Sequence, residues 1–371
     1  MQLTLHLTER CNMACSYCYQ CHAPRDMTPE VAREAVRLAQ KLGGSCCGIA
    51  FFGVEPLLKR DLIYDTVRYC REQEGRNKFR YFFKMTTNGT LLDSEFLEFS
   101  DRESVFIALS HDGTQYAQDL CRRLPSGSGT YELLERKLGL LLKHKPYAPV
   151  LMTVNPETVG DYFSGVCELW EKGFHYIIST LNYAAGWTDG DLKELSREYR
   201  MLAGLYKELT RAEEKFYLSP FEVKIASRIQ GDGYCNERCE LGKKQLSVSP
   251  DGGLYPCVQF VGDEDYRIGD VWSGIDEKKR EGIYARSEAG KTECMGCVVQ
   301  KRCNCSCGCL NKQVTGSIDH VPAVLCEHER ILMPIADALA EELFREKNGM
   351  FIQKHYNDVF PIISMVEDMN R

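Results

Sequence analysis

Apolar and polar positions alternate from the first residues of the chain. Gln2-Leu3-Thr4-Leu5-His6-Leu7 has the two-residue period of a strand. The period then lengthens. Thr28-Pro29-Glu30 predicts a helix start, with Thr28 as N-cap and Pro29 at the first helical position, and this helix runs to about Leu42 and stops at Gly43-Gly44. Gly48-Ile49-Ala50-Phe51-Phe52 predicts a short buried strand, followed by the turn Gly53-Val54-Glu55-Pro56. A helix from about Asp61 to Glu74, a strand from Tyr81 to Met85, the turn Thr86-Thr87-Asn88-Gly89 and a short helix from Asp93 to Phe99 come next. Val105 to Leu109 is a strand that ends in Ser110-His111-Asp112-Gly113. Tyr131 to His144, Val150 to Val154, Val159 to Lys172 and Phe174 to Ile178 continue the alternation, and a long helix from Asp191 to Lys215 closes it.

Six strand–helix units of these lengths imply a parallel sheet with right-handed crossovers. They are too few for an eight-stranded barrel, so the predicted fold class is α/β, a partial (β/α)6 TIM-like barrel. The loops that follow the strands share one rim, which should bring Cys11–Cys18, Glu55, Asn88 and Ser110 around one cavity. From Cys235 the texture changes to glycine, short turns and cysteine. Ser249 to Cys257 reads as a hairpin with its turn at Asp251-Gly252. The stretch from Glu327 to Arg371 is mainly helical, with an apolar stripe of Ile331, Ile335, Ala338, Leu339 and Leu343 that should pack on the barrel.

Composition changes this picture at one point. Of 371 residues, 19 are cysteines, ten of them between Cys235 and Cys326. The chain opens directly into a strand, which leaves no room for a signal peptide, so the expected compartment is cytoplasmic and the thiols are expected to be reduced. Clustered thiols there point to metal. No apolar run reaches the roughly 18 residues that span a bilayer, so no membrane partner is expected. A net charge of −7 argues against nucleic acid as a partner.

Cys11-x3-Cys15-x2-Cys18 places three thiolates on one loop, a spacing that suits an iron–sulfur cluster or zinc. Zinc would want a fourth local ligand, whereas a cubane cluster with three local cysteines keeps one iron open to a small molecule. With Tyr17 beside it, the motif resembles the signature of radical S-adenosylmethionine (SAM) enzymes. That resemblance implies a [4Fe–4S] cluster on Cys11, Cys15 and Cys18 whose open iron chelates SAM, and a 5′-deoxyadenosyl radical that abstracts a substrate hydrogen. Gly53-Val54-Glu55-Pro56 resembles the Gly-Gly-Glu-Pro turn that holds the SAM amino group, with Val54 where a second glycine is usual; valine fits only at negative φ. Asn88 and the Ser110–Asp112 segment resemble two further SAM-edge segments. Arg122 and Arg123 are both candidates to pair the SAM carboxylate.

The later cysteines resemble the SPASM extension of radical SAM enzymes. Its pattern runs from Cys239 to Cys257 and on through Cys294-x2-Cys297-x5-Cys303-x3-Cys307 to Cys326. By that resemblance one auxiliary [4Fe–4S] cluster takes Cys235, Cys239, Cys257 and Cys307, and the other takes Cys294, Cys297, Cys303 and Cys326, which makes three clusters in all. Cys305 or Cys309 could replace a neighbour. A zinc-ribbon pair of structural sites is the competing reading, and thiolates without histidine suit iron–sulfur clusters at least equally well. The expected domains are the barrel (1–215), a linker (216–234), the SPASM domain (235–330) and a helical segment (331–371).

Tyr255-Pro256-Cys257-Val258-Gln259-Phe260-Val261-Gly262 is similar to the maturases that install thioethers in ribosomally made, cysteine-containing precursor peptides. The resemblance implies an auxiliary cluster as electron acceptor and an external reductant such as flavodoxin or ferredoxin. Anaerobic sulfatase-maturing enzymes resemble the chain in both cysteine patterns but carry an aspartate where Val258 stands. Peptide epimerases and carbon–carbon crosslinking enzymes share the scaffold. A non-catalytic iron–sulfur electron carrier would need no SAM edge. Many such maturases have an added N-terminal leader-binding domain, and none precedes strand one, so recognition is expected from a separate leader-binding protein or from the barrel and C-terminal helices.

Overall fold

A computed structural model of the chain describes residues 1–42, 44–76, 78–231 and 239–369. Strands and helices alternate from the start: β1 (Gln2–His6), α1 (Pro29–Lys41), β2 (Cys46–Phe52), α2 (Arg60–Arg76), β3 (Arg80–Thr87), α3 (Ser94–Arg102), β4 (Val105–Ser110), α4 (Gln115–Cys121), α5 (Tyr131–His144), β5 (Val150–Val154), α6 (Tyr162–Glu171), β6 (Tyr176–Leu181) and α7 (Asp189–Arg211). The expected N-cap holds: Thr28 accepts the Val31 N–H at the head of α1.

Strands β1 to β6 pair in chain order and in parallel, as the partial barrel requires. Leu3, Leu5 and Leu7 are fully buried, and Ile49, Phe51, Phe83, Ile107 and Val150 continue this layer against the helices. The fold is therefore an α/β partial barrel followed by a cysteine-rich region.

The sheet extends beyond six strands at both edges. β7 (Tyr217–Leu218) pairs with β6, and α8 (Ser219–Gln230) follows it. Both fall in the stretch read as a linker, because Phe216, Leu218, Phe221 and Ile225 are apolar enough to be buried. At the other edge β8 (Gln245–Val248) pairs in parallel with β1, and β9 (Leu254–Tyr255) folds back on β8. The turn at Asp251-Gly252 forms as expected, with Gly252 at φ +86°. Leu246 and Val248 on β8 are fully buried, so pairing there both covers the β1 edge and fuses the cysteine-rich region to the barrel.

The remaining helices are α9 (Glu277–Glu288), α10 (Gly308–Thr315), α11 (Ala323–Arg345), α12 (Gly349–Tyr356) and α13 (Phe360–Met369). α11 packs along α7 and α8, with Leu339 and Leu343 of the expected stripe buried and Ile331 and Ile335 half-buried, whereas Ala338, expected in the stripe, is exposed. It begins before Cys326, so the expected boundary at 330 falls within a continuous helix.

Candidate active site

The loop after β1 carries Cys11, Cys15 and Cys18, each half-buried. Two backbone bonds pin it across the rim: Ala14 N–H donates to Arg123 O at 2.7 Å and Ser16 N–H to Cys121 O at 2.9 Å. The Met13 N–H lies 3.3 Å from Cys11 Sγ, and Asn88 Nδ2 approaches the same sulfur at 3.7 Å. Burial pushes the Cys11 thiol up to about 11 and raises Cys15 and Cys18 as well. A metal or another strong positive charge is needed to hold them as thiolates at neutral pH.

The three cysteines open into a cavity of about 480 Å³ that also meets Gly53, Val54, Asn88, Ser110 and Arg122. Glu55 stands behind it rather than on its wall. The Glu55 carboxylate is fully buried and accepts from Leu57 N–H (3.0 Å), Thr87 Oγ1 (2.8 Å) and Asn88 N–H (2.8 Å). It thereby ties the turn after β2 to the turn after β3, and burial pushes it up to about 7 despite these donors. The face this turn offers the cavity is made by Gly53 and Val54. Gly53 has φ +124°, and a Cβ there would stand 2.6 Å from Thr8 O. Val54 has no positive φ, which is how the valine is accommodated.

Asn88 uses its amide to donate to Asn12 Oδ1 at 2.9 Å, and its Oδ1 accepts from Thr90. The loop after β3 is thus locked to the cysteine loop. Asp112 is nearly buried and off the cavity wall. It accepts from Tyr17 OH (2.7 Å) and from Thr153 N–H (3.0 Å), and it pairs with Arg122 at 3.1 Å. The geometry separates the two arginines. Arg122 is buried, lies on the cavity wall and sits over the Tyr17 ring at 5.3 Å. Arg123 is exposed and donates to Asp119 O on the far side.

On its far wall the cavity is closed by Tyr183, Gln259, Asn304 and Cys307, which joins it to the cysteine-rich region. Nine of the later cysteines are described, and Cys235 lies outside the described residues. They form two groups. In one, Cys309 lies 3.3 Å from Cys307 and shares a thiol hydrogen bond with Cys257, with Cys239 nearby. In the other, Cys305 bonds with Cys294 and Cys303, and Cys297 and Cys326 adjoin. Among the described residues no three such side chains converge tightly enough for a single ion. Ligands of a cubane stand farther apart, with irons and sulfides between them. An all-thiol donor set without histidine suits that group.

Tyr183, unremarked in the sequence, belongs to a buried chain. Its hydroxyl meets His328 Nδ1 at 2.7 Å, and Tyr199 OH meets Nε2 of the same ring at 2.7 Å. Burial holds His328 neutral, far below the usual range, at about 3. No local pattern marks this contact, because 145 residues separate Tyr183 from its partner.

An open α/β barrel with a half-exposed three-cysteine loop, facing a second store of thiols across one cavity, defines an enzyme built on iron–sulfur clusters. The profile of the radical SAM superfamily matches residues 5–164. A cysteine-type anaerobic sulfatase-maturating enzyme of Clostridium perfringens is 23% identical, over 80% of this chain and 85% of its own length. An uncharacterized protein of Methanocaldococcus jannaschii is 31% identical, over 70% of this chain and 85% of its own. The solved structure of native anSMEcpe with bound AdoMet and Cp18Cys peptide superposes with a TM-score of 0.78 at 21% identity, covering 92% of this chain and 100% of that one. The chain belongs to the radical SAM superfamily. It is an enzyme that uses SAM and [4Fe–4S] clusters, one binding SAM and the others auxiliary in a SPASM-type region. Among the described residues no helix is long and apolar enough to cross a membrane.

Proposed function

We propose that the chain is a peptide maturase that removes a hydrogen from a ribosomally made, cysteine-containing peptide and closes a Cys thioether. The observation that carries this reading is the single cavity walled by the Cys11–Cys18 loop on one side and by Cys307 and Gln259 on the other. When bound, the SAM cluster supplies the hydrogen-abstracting radical and an auxiliary cluster accepts the surplus electron. In this assignment Cys11, Cys15 and Cys18 hold the first cluster. Arg122 offers its guanidinium to the SAM carboxylate, the turn backbone at Gly53 faces the SAM amino group, and Asn88 and Ser110 border it. Glu55 and Asp112 act as positioning groups, through the rim turns and through Arg122. The later cysteines hold the auxiliary clusters in the two groups described.

Forming the thioether removes two hydrogens from the peptide, one with the radical and one as a proton from the substrate thiol. A peptide partner is supported by the Cp18Cys peptide bound to anSMEcpe. A separate leader-binding protein and a flavodoxin- or ferredoxin-type reductant complete the proposed set of partners. The second reading, sulfatase-type maturation, is favoured by the relatives' names. Against it stands Val258, apolar and packed on the core, where an acidic base would be needed. The test is to incubate the iron- and sulfide-reconstituted enzyme with SAM, dithionite and a cysteine-containing precursor encoded beside its gene, then weigh the product. Loss of two hydrogens with a blocked thiol is expected; loss of sulfur would turn the assignment to sulfatase maturation.

A further inference from the structure

The inner wall of the barrel continues well below the SAM cavity. On β3, Tyr81, Phe83 and Met85 are buried toward the helices, where Phe83 stacks on Phe51 and lies under Arg71 of α2. The opposite face, Arg80, Phe82, Lys84 and Thr86, therefore lines the interior, and Thr86 is already on the SAM cavity wall. Closed barrels fill this space with bulky branched side chains. Here Gly48 and Ala50 stand in register with Phe82 and Lys84, so the wall is left hollow. Phe82, Phe106 and Ile178 are 64%, 38% and 40% exposed although they sit in mid-sheet strands.

A second cavity of about 430 Å³ opens at this level, between β4, β6 and β7 and the helices α12 and α13. Its lining is aromatic: Phe106 stacked on Tyr147 at 5.9 Å, with Tyr176, Tyr217 and Phe360. Ile178 lines both cavities, so the lower one continues the SAM cavity. The charges around it are also uneven: Glu214, on the chamber wall just before β7, has no basic partner among the described residues. Glu222 pairs with Lys354 and Lys215 with Glu367. Lys84, adjacent in register to Phe106 and exposed on this face, has no carboxylate partner among the described residues. Arg80, one step below on the same face, is likewise outside every ion pair among them. At the β3–β4 side, away from Glu214 and β7 in the strand order, Lys84 and Arg80 beside Phe106 make a basic, aromatic strip that fits an acidic, apolar ligand.

We infer that the lower barrel is an anchoring subsite for the peptide substrate, in which the aromatic chamber takes an apolar side chain and Lys84 takes a neighbouring carboxylate. This rests on the peptide-maturase reading. Ser110 at the rim and Phe106 in the chamber lie four residues apart on one strand, about 13 Å at the usual strand rise. The anchor therefore lies about four extended residues from the reacting position.

The test uses the cluster-loaded enzyme with SAM and three dansyl-labelled nonapeptides, read by fluorescence anisotropy. One carries Glu-Phe four residues before a cysteine, one carries Lys-Phe there, and one has only glycines around the cysteine. The Glu-Phe probe is expected to bind about tenfold more tightly than the other two. Lys84→Glu is expected to invert the preference between the Glu-Phe and Lys-Phe probes, a gain that misfolding cannot imitate. Phe106→Ala is expected to reduce Glu-Phe binding to the level of the glycine probe, with far-UV circular dichroism and SAM binding unchanged. Equal binding of all three probes to the wild type, or an unchanged preference in Lys84→Glu, would overturn the subsite and leave the peptide reading standing. Binding of none of the three would remove the peptide reading and the subsite with it.

Discussion

The two thiol-rich regions of this enzyme are built on opposite plans. The rim loop holds three cysteines, all half-exposed, with no spare thiol in its motif and with its backbone bonded to a neighbouring loop. The C-terminal region holds nine described cysteines, five of them buried, with Cys305 and Cys309 in contact with other thiols beyond the expected ligands. In the proposed assignment the difference follows from what each must do. A cluster that exchanges a small-molecule ligand needs an open side and a fixed frame that survives when the ligand leaves. A cluster that only holds or passes an electron gains from burial, which tunes its potential and excludes solvent. Burial also pushes Cys239 and Cys294 up to about 12, whereas the hydrogen bonds from Cys309 pull Cys257 down and bring Cys307 to about 7, so the C-terminal thiols are not equally ready to be thiolates before metal arrives.

The strongest way to break this comparison is to remove one thiol from each region. Cys15→Ala is expected to abolish 5′-deoxyadenosine formation while iron remains in the C-terminal region. Cys257→Ala is expected to do the reverse, keeping substrate-free SAM cleavage near the wild-type rate and losing peptide turnover. Iron analysis and chromatography of the SAM products read both effects. Loss of SAM cleavage in both variants would mean that the regions are not separate in function.

Much of the division was legible in the sequence, because it rests on short-range signals. The period of two in β1, the strand at Tyr81–Met85 and the cap at Thr28 are local, and each appears in the fold where it was expected. Long-range pairing was not legible. β8 reads as half of a hairpin, and nothing within it says that its free edge pairs with β1, some 240 residues earlier. Asp112 stands in a motif that looks like cofactor wall, yet Tyr17, 95 residues away, and Arg122 draw it behind that wall. The choice between Arg122 and Arg123 turned on α4, a helix of seven residues too short to show a period, whose end aims one side chain inward and the next outward. Tyr183 and Tyr199 meet through His328 because α11 returns across the barrel, a contact no local pattern could carry.

A second expectation sharpens what holds the rim together. In the proposed assignment the C-terminal region depends on metal, whereas the rim turns are tied by the Glu55 carboxylate. Its pKa is raised from 4.5 in the unfolded chain to about 7 in the fold. Its contribution is therefore fully present below pH 4.5 and is lost as pH rises through 7, because over that window the unfolded chain releases the proton more readily. The loss amounts to about 3 kcal/mol at most. Glu55→Gln cannot ionise, so its urea stability should stay flatter from pH 5 to pH 8 than that of the wild type. Parallel profiles for the two proteins would show that Glu55 is already ionised across this range and that the rim is held in another way.

The smallest expected effect tests the open side of the rim loop itself. If Arg122 presents its guanidinium to the SAM carboxylate, Arg122→Ala should weaken SAM binding about tenfold, as expected for loss of a charge-assisted pair in a part-buried site. Part of that loss would come from Asp112, left buried without its cation and free to pull Tyr17 out of place. Arg122→Lys separates the two contributions. It keeps a positive charge beside Asp112 but not the planar fork, so it should recover thermal stability while recovering SAM affinity only in part. Arg123→Ala, which removes a side chain bonded among the described residues to Asp119 O alone, should leave both unchanged. Equilibrium dialysis with labelled SAM, alongside thermal melts, reads the series. Equal losses of affinity in Arg122→Ala and Arg123→Ala would remove Arg122 from the site, and full recovery of affinity by Arg122→Lys would reduce its part to charge alone.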